Sequence, residues 1–213
     1  MTTLIDNDIL LKGACYRLLT ELISTNCGPD QVGYLAAARF VLTKKIRRVN
    51  LRGDAAVAEA ELVGFLAEQM AIETTPEEQA LAATLEATAQ SLLVNLDTGE
   101  SQLLAVLAAR TLPSLLTGDK RAIVAIERLI NAVAEIAGVS DKVTCLEQLV
   151  RHIVVLGDAA KIREAVCREP DIDRALSICF SCYNSEQPIA SVIEGLESYI
   201  SDLRRKAPRV LST

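Results

Sequence analysis

Apolar residues at Ile9, Leu10, Ala14, Cys15, Leu18, Leu19, Leu22 and Ile23 recur at the spacing of one helix face. Just before them, Thr3, Leu4 and Ile5 form a short apolar run that meets Asp6, Asn7 and Asp8. The chain therefore opens as strand, acidic turn and helix over Ile9–Ile23, which is half of a βαβ unit, and Asn26, Cys27, Gly28 and Pro29 end the helix. A second helix is expected from Val32 to Val49. Two Ala-rich helices follow between Asp54 and Gln90, broken near Thr74, Thr75 and Pro76, and another runs from Ser101 to Arg110. The clearest strand-to-helix junction comes next. Leu112 to Thr117 reads as a strand, Gly118 and Asp119 as its turn, and Asp119 to Ala137 as an amphipathic helix. Lys142 to Leu146 is a candidate third strand. The rest, to about Lys206, reads as helices interrupted at Pro170 and Pro188.

Strands alternating with helices in this way indicate an α/β fold with helices on both faces of a small parallel sheet. At 213 residues the chain makes one domain, with a helical appendage after residue 150. Half the residues are hydrophobic, only 3% are aromatic and Trp is absent, so the core is built of Leu, Ala, Val and Ile. No apolar run reaches the ~20 residues of a membrane span, and the first residues lack the basic start and apolar run of a signal peptide. The expected compartment is the cytoplasm, and its six cysteines are then expected to be reduced thiols. That includes Cys179 and Cys182, whose spacing would also suit a redox pair or half a zinc site. With one histidine, His152, a four-ligand zinc site is poorly supplied.

The net charge of −6 argues against a general nucleic-acid coat but leaves room for a local basic patch. Arg39, Lys44, Lys45, Arg47 and Arg48 fall on the second helix, with Arg52 just beyond and no acid between them. Such a run is either a solvated helix face or a phosphate-backbone contact surface. No aromatic residue interleaves with it, so stacking on bases has no support there. Arg204, Arg205, Lys206 and Arg209 read as a solubilising tail.

Acids stand at three junctions: Asp6 with Asp8, Asp97 with Glu100, and Asp119. In a parallel sheet the carboxyl ends of the strands share one edge, so these acids can converge. Carboxylates held close repel one another unless a hard cation sits among them, and an all-oxygen set suits Mg²⁺ or Mn²⁺. Asp119 has a structural alternative as the N-cap of its helix. If it belongs to a crowded cluster, Asp119→Asn should relieve repulsion in the metal-free protein.

The stretches Leu4–Leu11, Asp97–Ala105 and Leu115–Ala122 resemble, in order, the PIN-domain signatures: a first strand ending in an acid, a Gly-Glu helix start, and a Thr-x-Asp strand end. Val143–Leu149 is similar to the last strand and helix start of that fold. The resemblance covers roughly residues 1 to 150, as a PIN-like α/β/α sandwich, with 151–213 as the C-terminal extension. It implies a Mg²⁺- or Mn²⁺-dependent ribonuclease with Asp6, Glu100 and Asp119 as catalytic metal ligands. Asp8 and Asp97 stand beside them, and Arg39, Lys44, Lys45, Arg47 and Arg48 are the nucleic-acid contacts. The partners implied are RNA, an antitoxin-like protein and a second copy of the chain as a homodimer, with no membrane. One departure stands out. Many active members carry an acid at the start of the helix after the second strand, where this chain has Arg39. The alternative is therefore a PIN-like module that binds RNA or protein and does not cut. A Rossmann-type cofactor protein is poorly supported, because no Gly-x-Gly-x-x-Gly follows the first strand.

Overall fold

The first strand, β1 (Thr2–Ile5), ends where Asp6 turns its carboxylate back onto the Asn7 N–H and starts α1 (Asn7–Tyr16). The computed structural model describes residues 1–28, 30–184 and 187–213. The helix expected over Ile9–Ile23 is two helices. The chain turns at Arg17 in the left-handed region and resumes as α2 (Leu19–Cys27). Leu19 then packs against Gly13, where a Cβ atom would stand 2.9 Å from its Cδ1. The apolar periodicity runs through the corner because both helices bury their faces in the same core. Helix α2 closes at Gly28 with a positive φ, and Pro29 lies outside the described residues.

The expected second helix begins instead as a strand, β2 (Gln31–Leu35), with α3 confined to Ala38–Ile46. Val32 to Leu35 are all buried, between β1 and a third strand. A strand covered on both faces shows no alternation, so periodicity alone does not separate it from a buried helix. After α4 (Ala55–Glu68) comes β3 (Met70–Ile72), too short for a pattern of its own. Helix α5 (Pro76–Ser91) starts at a Thr75 and Glu78 capping box, and α6 (Thr98–Ala109) at one made by Asp97 and Glu100. Strand β4 (Ser114–Thr117) leads into α7 (Lys120–Leu129), which stops short of the expected Ala137 and gives way to a 3₁₀ turn over Ala134–Val139. Strand β5 (Val143–Cys145), α8 (Leu146–Leu156), α9 (Ala159–Arg168), α10 (Arg174–Cys179) and α11 (Ile189–Lys206) complete the chain.

The sheet has five strands, all parallel, in the order β3-β2-β1-β4-β5. Alternate strand residues face two cores. Ile5, Val32, Tyr34 and Leu116 pack under α1 to α4 and α8 to α10. Leu4, Leu35, Ile72, Leu115 and Val143 pack under α5 to α7. Helix α11 contributes to both, through Leu196 on one side and Leu203 on the other. The fold is thus α/β with helices layered on each face of a parallel sheet. Leu211 joins the free edge of β5 in an isolated parallel bridge to Val143. Arg209, read as part of a solubilising tail, latches this end by donating to the buried carboxylate of Glu127 at 2.7 Å.

The reduced state expected for all six cysteines does not hold. Cys167 at the end of α9 and Cys182 just after α10 form a disulfide, with Cα atoms 4.9 Å apart. The neighbour suggested by spacing, Cys179, is a buried free thiol turned into the core. No helix among the described residues is long and apolar enough to cross a membrane.

Candidate active site at the carboxyl edge of the sheet

Strands β1, β2 and β3 spread in one direction and the chain then returns to lay β4 on the other side of β1. The crevice outside the carboxyl ends of β1 and β4 is therefore the topological switch point, where open α/β sheets bind ligands. Asp6 ends β1 and Asp119 follows the end of β4. The main chain ties the two ends together, since the Asp6 N–H donates to the Leu116 carbonyl at 2.9 Å.

Asp6 is buried and held on both oxygens. Oδ1 accepts from the Asn7 N–H at 2.6 Å and Oδ2 from the Thr117 hydroxyl at 2.9 Å. Burial pushes its carboxyl up to about 6 against the pull of Thr117, and Asp8 and Asp97 add to the rise. Glu100 reaches the same crevice from the start of α6. Its Oε2 accepts from the Asp97 N–H at 2.8 Å, and Asp97 Oδ1 accepts from the Glu100 N–H at 2.8 Å. Burial is the chief cause that pushes Glu100 up to about 8, and the charges of Asp97, Asp119 and Asp6 push it further. Asp97 itself is exposed. Asp6 feels the charges of Asp8 and Asp97, and Glu100 those of Asp97, Asp119 and Asp6, so these acids stand within electrostatic reach of one another.

Their states differ, and this corrects one expectation. Asp119 caps α7 through Oδ1, which accepts from the Arg121 N–H at 2.7 Å, and its Oδ2 pairs with Arg121 Nη2 at 2.9 Å. Burial would raise Asp119, but Arg121 more than offsets it and holds the carboxyl below its ordinary value. Repulsion therefore falls on Glu100, and Asp119→Asn would remove a favourable pair instead of relieving strain. Asp8 leans over Gly118 so closely that a Cβ there would stand 2.1 Å from Asp8 Oδ2, which makes glycine necessary for this arrangement. Lys12 Nζ bridges Asp8 and Asp173, at 2.7 Å from each. Burial would lower that ammonium, but the two carboxylates hold it above its ordinary range. Beside it, Lys120 Nζ lies 2.5 Å from Oε1 of the buried Glu147, whose oxygens accept no hydrogen bond of regular geometry.

A cavity of about 300 Å³ lies at this edge, lined by Asp8, Lys12, Gly118, Asp119, Lys120 and Arg121. Its lining sets two carboxylates, Asp8 and Asp119, against three cations, Lys12, Lys120 and Arg121, so only the oxygens of the acids suit Mg²⁺ or Mn²⁺ in chemistry. It is not closed into a cage. Among the described residues no three His, Cys, Asp or Glu side chains are arranged to hold a metal ion. Arg121 occupies Asp119, Lys12 occupies Asp8, and the Glu100 side chain is folded back on its own capping box.

The basic residues do not form one surface. Arg39 Nη2 donates to the Tyr34 hydroxyl at 2.9 Å and to the Leu66 carbonyl at 3.3 Å, so its head bonds to the protein. Arg47 pairs with Glu59 and Arg52 with Asp171. Lys44, Lys45 and Arg48 are exposed at the far end of α3. The site residues that the sequence did not single out are Lys12, Lys120, Arg121 and Asp173. The Asp8 and Lys12 pair could have been read from its i, i+4 spacing on a helix. Asp173 could not, because it lies 161 residues from Lys12 in the chain. No protein-family model, curated protein or solved structure matches this chain.

Proposed function

We propose that this chain is a PIN-like, divalent-metal-dependent ribonuclease. What supports the reading is that Asp6 and Asp119 end neighbouring strands at the switch point of a parallel sheet, with Glu100 within reach of their charge. Mg²⁺ or Mn²⁺, if held by these acids with Asp8 and Asp97 beside them, would supply Lewis-acid activation of a phosphodiester and of water. The chain does the rest. Thr117 and the Asn7 N–H fix the direction of Asp6. The Asp97 N–H, donating to Oε2, holds the Glu100 side chain at the start of α6. Lys12 balances Asp8 against Asp173 and so keeps α1 and α10 at fixed distance across the crevice. Phosphate contacts in this reading belong to the exposed Lys44, Lys45 and Arg48, since the Arg39 head donates to Tyr34 and Leu66. An antitoxin-like protein and a second copy of the chain are the protein partners that go with this reading.

The second reading, a PIN-like module that binds RNA or protein without cutting, is favoured by the Arg121 and Lys12 pairs, which neutralise two of the five acids. Calorimetric titration with Mn²⁺ separates the two. The nuclease reading expects binding in the parent, its loss in Asp6→Asn, and Mn²⁺-dependent RNA cleavage only in the parent. A parent that takes up no Mn²⁺ would leave only the binding module.

A further inference from the structure

Beside the carboxylate edge lies a second cavity, of about 350 Å³, between α7, α11 and the segment that joins α5 to α6. Lys120 and Arg121 line both hollows, so the two are neighbours. The second has a different character. Val94, Val124 and Leu203 supply apolar wall, and the half-buried ring of Tyr199 is the aromatic residue among those lining it. Lys120 Nζ stands 5.8 Å from the centre of that ring, a cation–π contact that sets the ring against the start of α7. At the mouth Leu93 is 93% exposed, an apolar side chain held in water beside an apolar hollow. Two largely exposed cations stand at the opening, Arg121 paired with Asp119 and Lys206 with Asp202, which also lines the cavity; exposed pairs of this kind are weak enough for an anion to compete.

Apolar walls with an aromatic face, bordered by exposed cations and adjacent to the proposed nuclease site, fit a flat ring carrying an anion at its side. A nucleotide of a single strand has that shape and charge. A base within a duplex does not, because both of its faces are already stacked. We propose that the Tyr199 cavity receives one unstacked nucleobase of a single-stranded RNA, whose adjoining phosphate lies along Arg121 at the carboxylate edge. The inference rests on the nuclease reading for the identity of the polymer, and it makes α11 part of the substrate-binding surface. Stacking of a base on an aromatic side chain is tolerant of sequence, so the cavity would select for strandedness over sequence.

Fluorescence anisotropy with a labelled single-stranded RNA, in EDTA so that nothing is cut, tests this on the full chain. Tyr199→Phe keeps the ring and should bind within about twofold of the parent. Tyr199→Leu keeps apolar bulk for folding, verified by an unchanged melting curve, and should bind about tenfold more weakly. Its salt dependence should match the parent's, because the phosphate-binding cations are all still present. A duplex of the same sequence should show no difference among the three proteins. Equal affinity of Tyr199→Leu and parent for the single strand would overturn the proposal, and so would an equal loss for single strand and duplex. A parent that does not bind single-stranded RNA overturns it as well. Cleavage assayed separately with Mn²⁺ keeps the two readings apart. A Tyr199 effect without cleavage upholds the base pocket and removes the nuclease, whereas cleavage with no Tyr199 effect removes the pocket alone.

Discussion

Replacing Glu100 with Gln should stabilise the metal-free protein at alkaline pH and leave it unchanged in acid. Glu100 faces Asp97, Asp119 and Asp6, and Arg121 is the cation near enough to feel it. Its ordinary value of 4.5 rises to about 8 in the folded chain, with burial as the main cause and the three acids after it. Between those values the unfolded chain has released the proton and the folded chain still holds it. The native state then binds more protons than the unfolded state, so unfolding free energy falls as pH rises through this window. Each pH unit of difference corresponds to about 1.4 kcal/mol, which would make the whole interval worth about 5 kcal/mol for a fully buried group. Glu100 is only half-buried, and water screens its neighbours, so we expect about 1–2 kcal/mol. Gln keeps the capping box, because its side-chain oxygen can accept from the Asp97 N–H as the carboxylate does. Urea denaturation of parent and variant in EDTA, at about pH 4 and about pH 9, measures the difference directly. The curves should coincide at the acid end and separate at the alkaline end, with the variant the more stable. Mn²⁺ at the alkaline end should then stabilise the parent more than the variant, since a ligand bound by the native state alone adds to its stability. A gap between the two proteins that does not change with pH would refute the crowding of Glu100 by its neighbours. A parent more stable than the variant at alkaline pH would show that Glu100 has a cationic partner in its place.

Other changes test the surroundings. Arg121→Ala removes the cation from Asp119 and should tighten Mn²⁺ binding in calorimetry; unchanged or weaker binding would show that Asp119 is no ligand. Lys44→Ala with Arg48→Ala should weaken RNA binding alike for all sequences and lower the slope of log affinity against log salt by about 2, one for each phosphate that is no longer neutralised. A slope equal to the parent's would return this end of α3 to a solvated face. Cys182→Ser removes the link to Cys167, whose partners are 15 residues apart, and should cost about 2–3 kcal/mol in denaturation under oxidising conditions. Peptide mass mapping should find Cys167 and Cys182 joined in the unreduced parent, and two free thiols there would count against the pair.

The parts of this protein that can be read in one dimension are those held by neighbours in the chain. Asp6, Asp97 and Asp119 cap helices through bonds to groups one to three residues away, so the strand and turn ends that carry the acids are written locally. The parallel α/β class follows from the same signals, since short apolar strands alternating with helices have few ways to bury their faces. Tertiary structure decided what depends on distant partners. Strand β2 passed for a helix because β1 and β3 flank it within a sheet covered on both faces, which erases its alternation. Arg39 became a structural donor only when α4 brought the Leu66 carbonyl to it, and Cys182 met Cys167 only when α10 folded against α9. The charge of each acid was decided in the same way. Burial and three neighbours push Glu100 up, while an adjacent arginine holds Asp119 down. A residue's identity sets which proton it can carry, and the electric environment that settles whether it does so exists only after the chain has closed around it.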